Sequence, residues 1–124
     1  MGVTYSLVNH SRGEFVLYAH IPAGKKRELV GNAVSAAITT WYLLEHREDR
    51  VAFVSDDVGD WPFPTGSQDD LAKYQEVTDR VVRELVAAEI LKDYGVLWSD
   101  PDEPDRIFER DLRVTWRSDE EPAP

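Results

Sequence analysis

Five aspartates, Asp56, Asp57, Asp60, Asp69 and Asp70, fall between Ser55 and Asp70 with no lysine or arginine among them. The same stretch carries two aromatic rings set between prolines, Trp61-Pro62-Phe63-Pro64. Two kinds of chemistry can use such a cluster. Carboxylate oxygens suit hard divalent cations such as Ca²⁺ or Mg²⁺, and Asp56, Asp57 and Asp60 follow a short apolar run, as metal-holding acids do in many sheet proteins. Their order, Ser55-Asp56-Asp57-Val58-Gly59-Asp60, departs from the D-x-[DN]-x-[DN]-G register of a calcium loop. No metal and no cofactor is therefore assigned. The same acids can instead form a surface for a basic partner, with Trp61 and Phe63 supplying the buried aromatic area that dominates interface hot spots. On that reading Asp56, Asp57, Asp60, Trp61, Phe63, Asp69 and Asp70 are the binding residues. In the competing arrangement the two rings fold back beneath the loop, and Pro62 and Pro64 stiffen its path.

Catalytic constellations are weak by comparison. The histidines are His10, His20 and His46. His10 and His20 fall at opposite ends of a predicted strand, roughly 20 Å apart at ~3.3 Å per residue, too far to share one metal or one substrate. His46 suits the C-terminal end of a helix, where the macrodipole favours positive charge. None of the serines lies in G-x-S-x-G, and neither G-x-G-x-x-G nor G-x-x-x-x-G-K-[ST] occurs. Without cysteine there is no thiolate nucleophile, no disulfide and no Cys-based zinc site. Adjacent acids on an exposed loop, such as Asp56 and Asp57, are ordinarily just ionised.

The elements that must position this loop are legible in part. Val3, Tyr5 and Leu7 alternate with Thr4, Ser6 and Val8. After Asn9-His10-Ser11-Arg12-Gly13, Phe15, Leu17, Ala19 and Ile21 alternate in turn. Two period-two runs around a polar loop containing glycine predict a β-hairpin. Lys25–Val30 reads as a short helical segment closed by Gly31. Asn32 is an N-cap for a longer helix, with Val34, Ala37, Ile38 and Trp41 on one stripe. Trp41 and Tyr42 cannot both face that stripe, so one of them covers the hairpin or lies at a second interface such as a homodimer. Val51–Val54 predicts a buried strand. Ser67-Gln68-Asp69-Asp70 has the form of a capping box, and the spacing of Leu71, Tyr74, Val77, Val81, Leu85 and Ala88 predicts one continuous helix from it. Val96-Leu97-Trp98 reads as a short strand. Over 105–116 Phe108, Leu112 and Trp116 favour a helix begun by Pro104, although Leu112, Val114 and Trp116 also alternate as in a strand.

Together these elements predict an α+β fold of two layers. An N-terminal β-hairpin belongs to a small, mostly antiparallel sheet, with two to three helices packed on one face. With 124 residues, the size prior gives a single domain over 1–117, and the acidic, proline-bearing 118–124 reads as a disordered tail. Charge is unevenly shared. Residues 1–47 carry five Lys/Arg and three Asp/Glu, whereas 48–124 carry nine and twenty-one, for a chain net of −10. That balance opposes phosphate, so nucleic acid is not an expected partner. No apolar run reaches the ~18 residues of a membrane span, and the N-terminus lacks the pattern of a signal peptide, so a cytoplasmic location is expected. The sequence thus points first to a non-enzymatic acidic binding protein for a basic protein partner, similar in class alone to immunity proteins and inhibitors of basic toxins. A small metal-assisted hydrolase using Asp56, Asp57 and Asp60, and an oligomerising structural protein, are the alternatives.

Overall fold

The alternation around Gly13 forms a hairpin in the structure, a computed structural model that describes residues 3–21 and 25–115. Strand β1 (Tyr5–Asn9) pairs antiparallel with β2 (Glu14–Leu17), placing Leu7 opposite Val16. Gly13 takes φ +65° at the turn, a conformation that costs glycine nothing. Strand β3 (Val51–Ser55) pairs antiparallel with the other edge of β1, Leu7 facing Phe53. Between β2 and β3 come α1 (Lys26–Gly31) and α2 (Ala33–Glu45). The Asn32 side-chain oxygen accepts the Val34 and Ser35 N–H groups at 2.9 and 3.0 Å, satisfying two of the donors orphaned at a helix start.

One continuous helix from Ser67 does not form. Gln68–Lys73 is a 3-10 helix, Gln75–Glu76 is a two-residue strand β4, and only Thr78–Ala87 is the helix α3. The hairpin causes the break. The N–H groups of Gln75 and Val77 donate to the Gly13 and Phe15 carbonyls at 3.0 and 2.8 Å, instead of to their own preceding turn. That pairing is parallel and completes a sheet of order β3-β1-β2-β4. Thr78 then bonds β2 through its hydroxyl, which accepts the Leu17 N–H at 2.8 Å.

The helix expected over 105–116 is replaced by a strand. β5 (Leu91–Ser99) and β6 (Phe108–Val114) form an antiparallel two-stranded ribbon. The alternation of Leu112 and Val114 prevails over the helical spacing because Leu91 pairs with Val114, and both Leu91 and Leu112 enter the core. Trp116 and the tail 118–124 lie outside the described residues.

The two faces of the main sheet are covered differently. Leu7 and Val16 point towards Ile38 and Tyr42 of α2 and Val81, Val82 and Leu85 of α3, all buried. Burying each such aliphatic side chain contributes roughly 1.5–3 kcal/mol. Helices over one side of a small sheet, with a second two-strand sheet beside it, make the fold α+β. The opposite face carries Val8, which the register sets between Phe15 and Ala52. Val8 and Val54 are buried there without joining the helix-facing cluster. This second face positions the acidic connection. Among the described residues no helix is long and apolar enough to cross a membrane.

Candidate functional site

The connection from Asp56 to Tyr74 is held by its own acids. Asp56 accepts the Thr4 N–H at 3.1 Å with one carboxylate oxygen and the Thr4 hydroxyl at 2.8 Å with the other. The Thr4 hydroxyl, and then the Thr4 N–H, lower the Asp56 pKa from its ordinary value by favouring the ionised form. Asp60 reaches back to the end of β3 and accepts the Ser55 N–H at 2.6 Å, which likewise lowers its pKa. Asp70 accepts the Ser67 N–H at 2.9 Å, the reciprocal contact of the predicted capping box. Gln68 ties the two ends of the loop, donating to the Ser55 and Asp57 carbonyls at 2.9 and 2.7 Å.

Beside these acids lies an aromatic cluster built on His10, the residue after β1. Its ring stacks on Phe63 at 4.8 Å and 15°, and meets Trp61 edge-on at 5.9 Å. Both ring nitrogens are engaged, Nδ1 with the Tyr74 hydroxyl and Nε2 with Thr65 Oγ1, each at 2.9 Å. Trp61 Nε1–H donates to the Thr65 carbonyl at 2.7 Å, and the indole contacts Phe63 and Tyr74 edge to face. Trp61 and Phe63 are half-buried. The two rings pack on His10 and Tyr74 and do not join the main hydrophobic core.

Gly66 makes this packing possible. It sits at φ +81°, and a Cβ there would lie 2.5 Å from Asp70 Oδ2 and 3.5 Å from Trp61 Nε1. Gly66→Ala is expected to cost about 1–2 kcal/mol, from the backbone penalty and the displaced cap together. Chemical denaturation measures that loss.

Among the residues the loop exposes are Asp57, Val58 and Asp69. The side chains of Asp57 and Asp69 have no hydrogen-bond or ion-pair partner among the described residues. Val58 is fully exposed between Asp57 and Gly59. A lone valine beside a glycine carries no periodic signal, and its place at a loop tip is visible only after folding. Asp56, Asp60 and Asp70 therefore shape the loop through hydrogen bonds, Asp56 while itself exposed, and the side chains of Asp57 and Asp69 make none.

The carboxylates do not converge with a histidine. His10 reaches the loop but bonds only hydroxyls, and among the described residues no three His, Asp or Glu side chains are grouped to hold a metal. His20 lies elsewhere, stacked on Phe108 in a small cleft of ≈ 220 Å³ with Asp79 and Arg110. His46 caps α2, its Nδ1–H donating to the Tyr42 carbonyl at 2.9 Å. An apolar groove of ≈ 690 Å³ runs along α2 between Trp41, Leu85 and Ile90, and no residue of the acidic loop lines it. Of the two rings that could not share one stripe, Tyr42 covers the hairpin through Asn9 and Glu14, and Trp41 donates to Glu84 at 2.9 Å. No family model matches this chain, and no curated protein or solved structure matches it.

Proposed function

We propose that this chain is a non-enzymatic, cytoplasmic binding protein whose acidic loop recognises a basic protein partner. The observation that supports this most is the division of labour within the loop. Three carboxylates and the His10 cluster fix its backbone, and Asp57, Val58 and Asp69 are left pointing into solvent. A surface already held in shape loses little conformational entropy on docking, which favours affinity. Unpaired acids on a chain of net charge −10 speed encounter with a basic surface and repel acidic competitors. Val58 supplies an apolar contact at the centre of the charge. Trp61 and Phe63 act from beneath, keeping the tip rigid.

Because Asp57 and Asp69 make no structural hydrogen bond through their side chains, reversing them tests recognition without dismantling the loop. A basic protein captured stoichiometrically at low salt, and released by salt, identifies the partner. With it in hand, Asp57→Lys/Asp69→Lys is expected to lower the association rate about tenfold or more at low ionic strength, with the difference shrinking as salt rises. The thermal transition should stay where it was. Stopped-flow binding at two salt concentrations measures this. An association rate equal to that of the unaltered protein would remove the loop as the site.

A further inference from the structure

The β5 strand of the β5–β6 ribbon carries a run of exposed large apolar side chains. Tyr94, Val96, Leu97 and Trp98 of β5 are each more than half exposed, at 55, 61, 64 and 51%. Ile107, just before β6, is 41% exposed. Only the base of the ribbon, at Leu91 and Leu112, is buried in the core. The second sheet has just these two strands. The outer side of β6 is partly used, since the Arg110 N–H donates to the His20 carbonyl at 2.8 Å. Among the described residues, the outer edge of β5 makes no backbone hydrogen bond to any other segment. A long strand edge with open backbone groups and apolar side chains is a template for pairing with another strand.

Charge decides what pairs there. Residues 91–114 hold four Lys/Arg and seven Asp/Glu, a net of −3. The arginines of the ribbon are occupied: Arg106 with Glu103 at 2.8 Å, Arg110 with Asp79 and Asp93 at 2.6 and 3.2 Å, and Arg113 with Asp111 at 3.1 Å. The turn at the far end carries Asp100, Asp102, Glu103 and Asp105, of which only Glu103 has a cationic partner among the described residues. A second copy would bring another acidic turn and another net −10 to the same edge.

We propose that the outer edge of β5 receives an extended basic segment of another protein as an added strand. Its backbone pairs along Tyr94–Ser99 except at Gly95, whose N–H already donates to Asp93 Oδ1 at 2.8 Å; its apolar side chains cover one face of the exposed Val96–Trp98 stretch, and its lysines or arginines meet Asp100, Asp102 and Asp105. This surface is separate from the acidic loop and takes from the proposed function only the positive charge of the partner.

The test uses the full chain and an eight-residue peptide of alternating lysine and valine, with its glutamate–valine counterpart as control. At low salt the lysine peptide is expected to slow amide hydrogen exchange in Tyr94–Ser99 at least tenfold, and to do so less at high salt. The glutamate peptide should have no effect. Leu97→Lys/Trp98→Lys keeps a strand-compatible surface while opposing the peptide's charge, and should abolish the protection. Asp57→Lys/Asp69→Lys should leave it intact, which separates this edge from the loop. No protection by the lysine peptide overturns the proposal and leaves the loop reading standing. Protection without peptide, accompanied by a mass in solution that rises with concentration, assigns the edge to a second copy and overturns it as well.

Discussion

Arg80→Met is expected to lower stability by about 2–4 kcal/mol at neutral pH, and to do so less and less as the solution is acidified. Glu14 is the reason. Its side chain is only 9% exposed, and three groups converge on it: Arg80 Nη2 at 2.9 Å, the Tyr42 hydroxyl donating at 2.5 Å, and His46 Nε2 at 3.7 Å. Tyr42 in turn accepts from Asn9 at 3.0 Å, and Asn9 donates to Asp49, which pairs with Arg12 at 2.7 Å. Burial pushes the Glu14 carboxyl up, but the Arg80 and Tyr42 hydrogen bonds and the nearby positive charge outweigh it, so its pKa is lowered overall. The carboxylate therefore stabilises the native protein above the ordinary glutamate value, and that contribution is lost as pH falls through the lower folded value.

Methionine keeps the stem of Arg80 and removes its charge. Burial at Glu14 then loses its main opponent, and the folded pKa is expected to rise from its lowered value, with the Tyr42 hydrogen bond still opposing burial. The variant therefore loses stabilisation where the glutamate is ionised, and the difference from the unaltered protein shrinks as the carboxylate binds a proton. Removing one partner of a fully buried pair costs about 3–5 kcal/mol. Arg80 is 41% exposed, so solvent screening places the expected loss lower. Urea denaturation of both proteins between pH 3.5 and 7.5 measures it. A stability difference independent of pH would show that Glu14 is not the group responsible.

The second large effect belongs to the core. Ile38 is fully buried in α2, among Leu7, Val16 and the inner face of α3. Ile38→Ala is expected to cost about 3–4 kcal/mol, from lost transfer free energy and a cavity the close-packed helices refill only in part. For a domain of this size that lowers the melting temperature by about 12–16 °C, at roughly 4 °C per kcal/mol. Val30→Ala, at a position 79% exposed, should lie within about 0.5 kcal/mol of the unaltered protein. Calorimetry on the pair checks the contrast. Equal losses from both would mean that α2 does not pack on the sheet as described.

The acidic loop shows how far composition reaches. Five aspartates and two aromatic rings marked it as unusual, and the capping box at Ser67 was readable because it spans four residues. Which acids face outward was not readable. Asp56 is held by Thr4, 52 residues earlier, and the Trp61–Phe63 pair is held by His10, whose proximity depends on β1 and β3 lying side by side. Nothing in the local order of residues distinguishes Asp57 from its neighbour.

By itself the sequence determined the elements whose signals are local. The hairpin of β1 and β2 follows from two alternating runs and a glycine turn, α2 follows from Asn32 and a helical stripe, and β3 follows from a short apolar run. The hairpin's and the helix's hydrogen bonds and caps are made between residues close in the chain, whereas β3 is marked by its apolar run and finds its partner in β1. Tertiary structure alone decided the rest. Residues 74–77 leave the helix because Gly13 and Phe15 offer carbonyls to Gln75 and Val77. Residues 108–114 become a strand because β5 lies alongside them and Leu91 and Leu112 share the core. Where two periodicities fit one segment, local propensities differ by a few tenths of a kcal/mol per residue, and the partner strand that satisfies the backbone outweighs them.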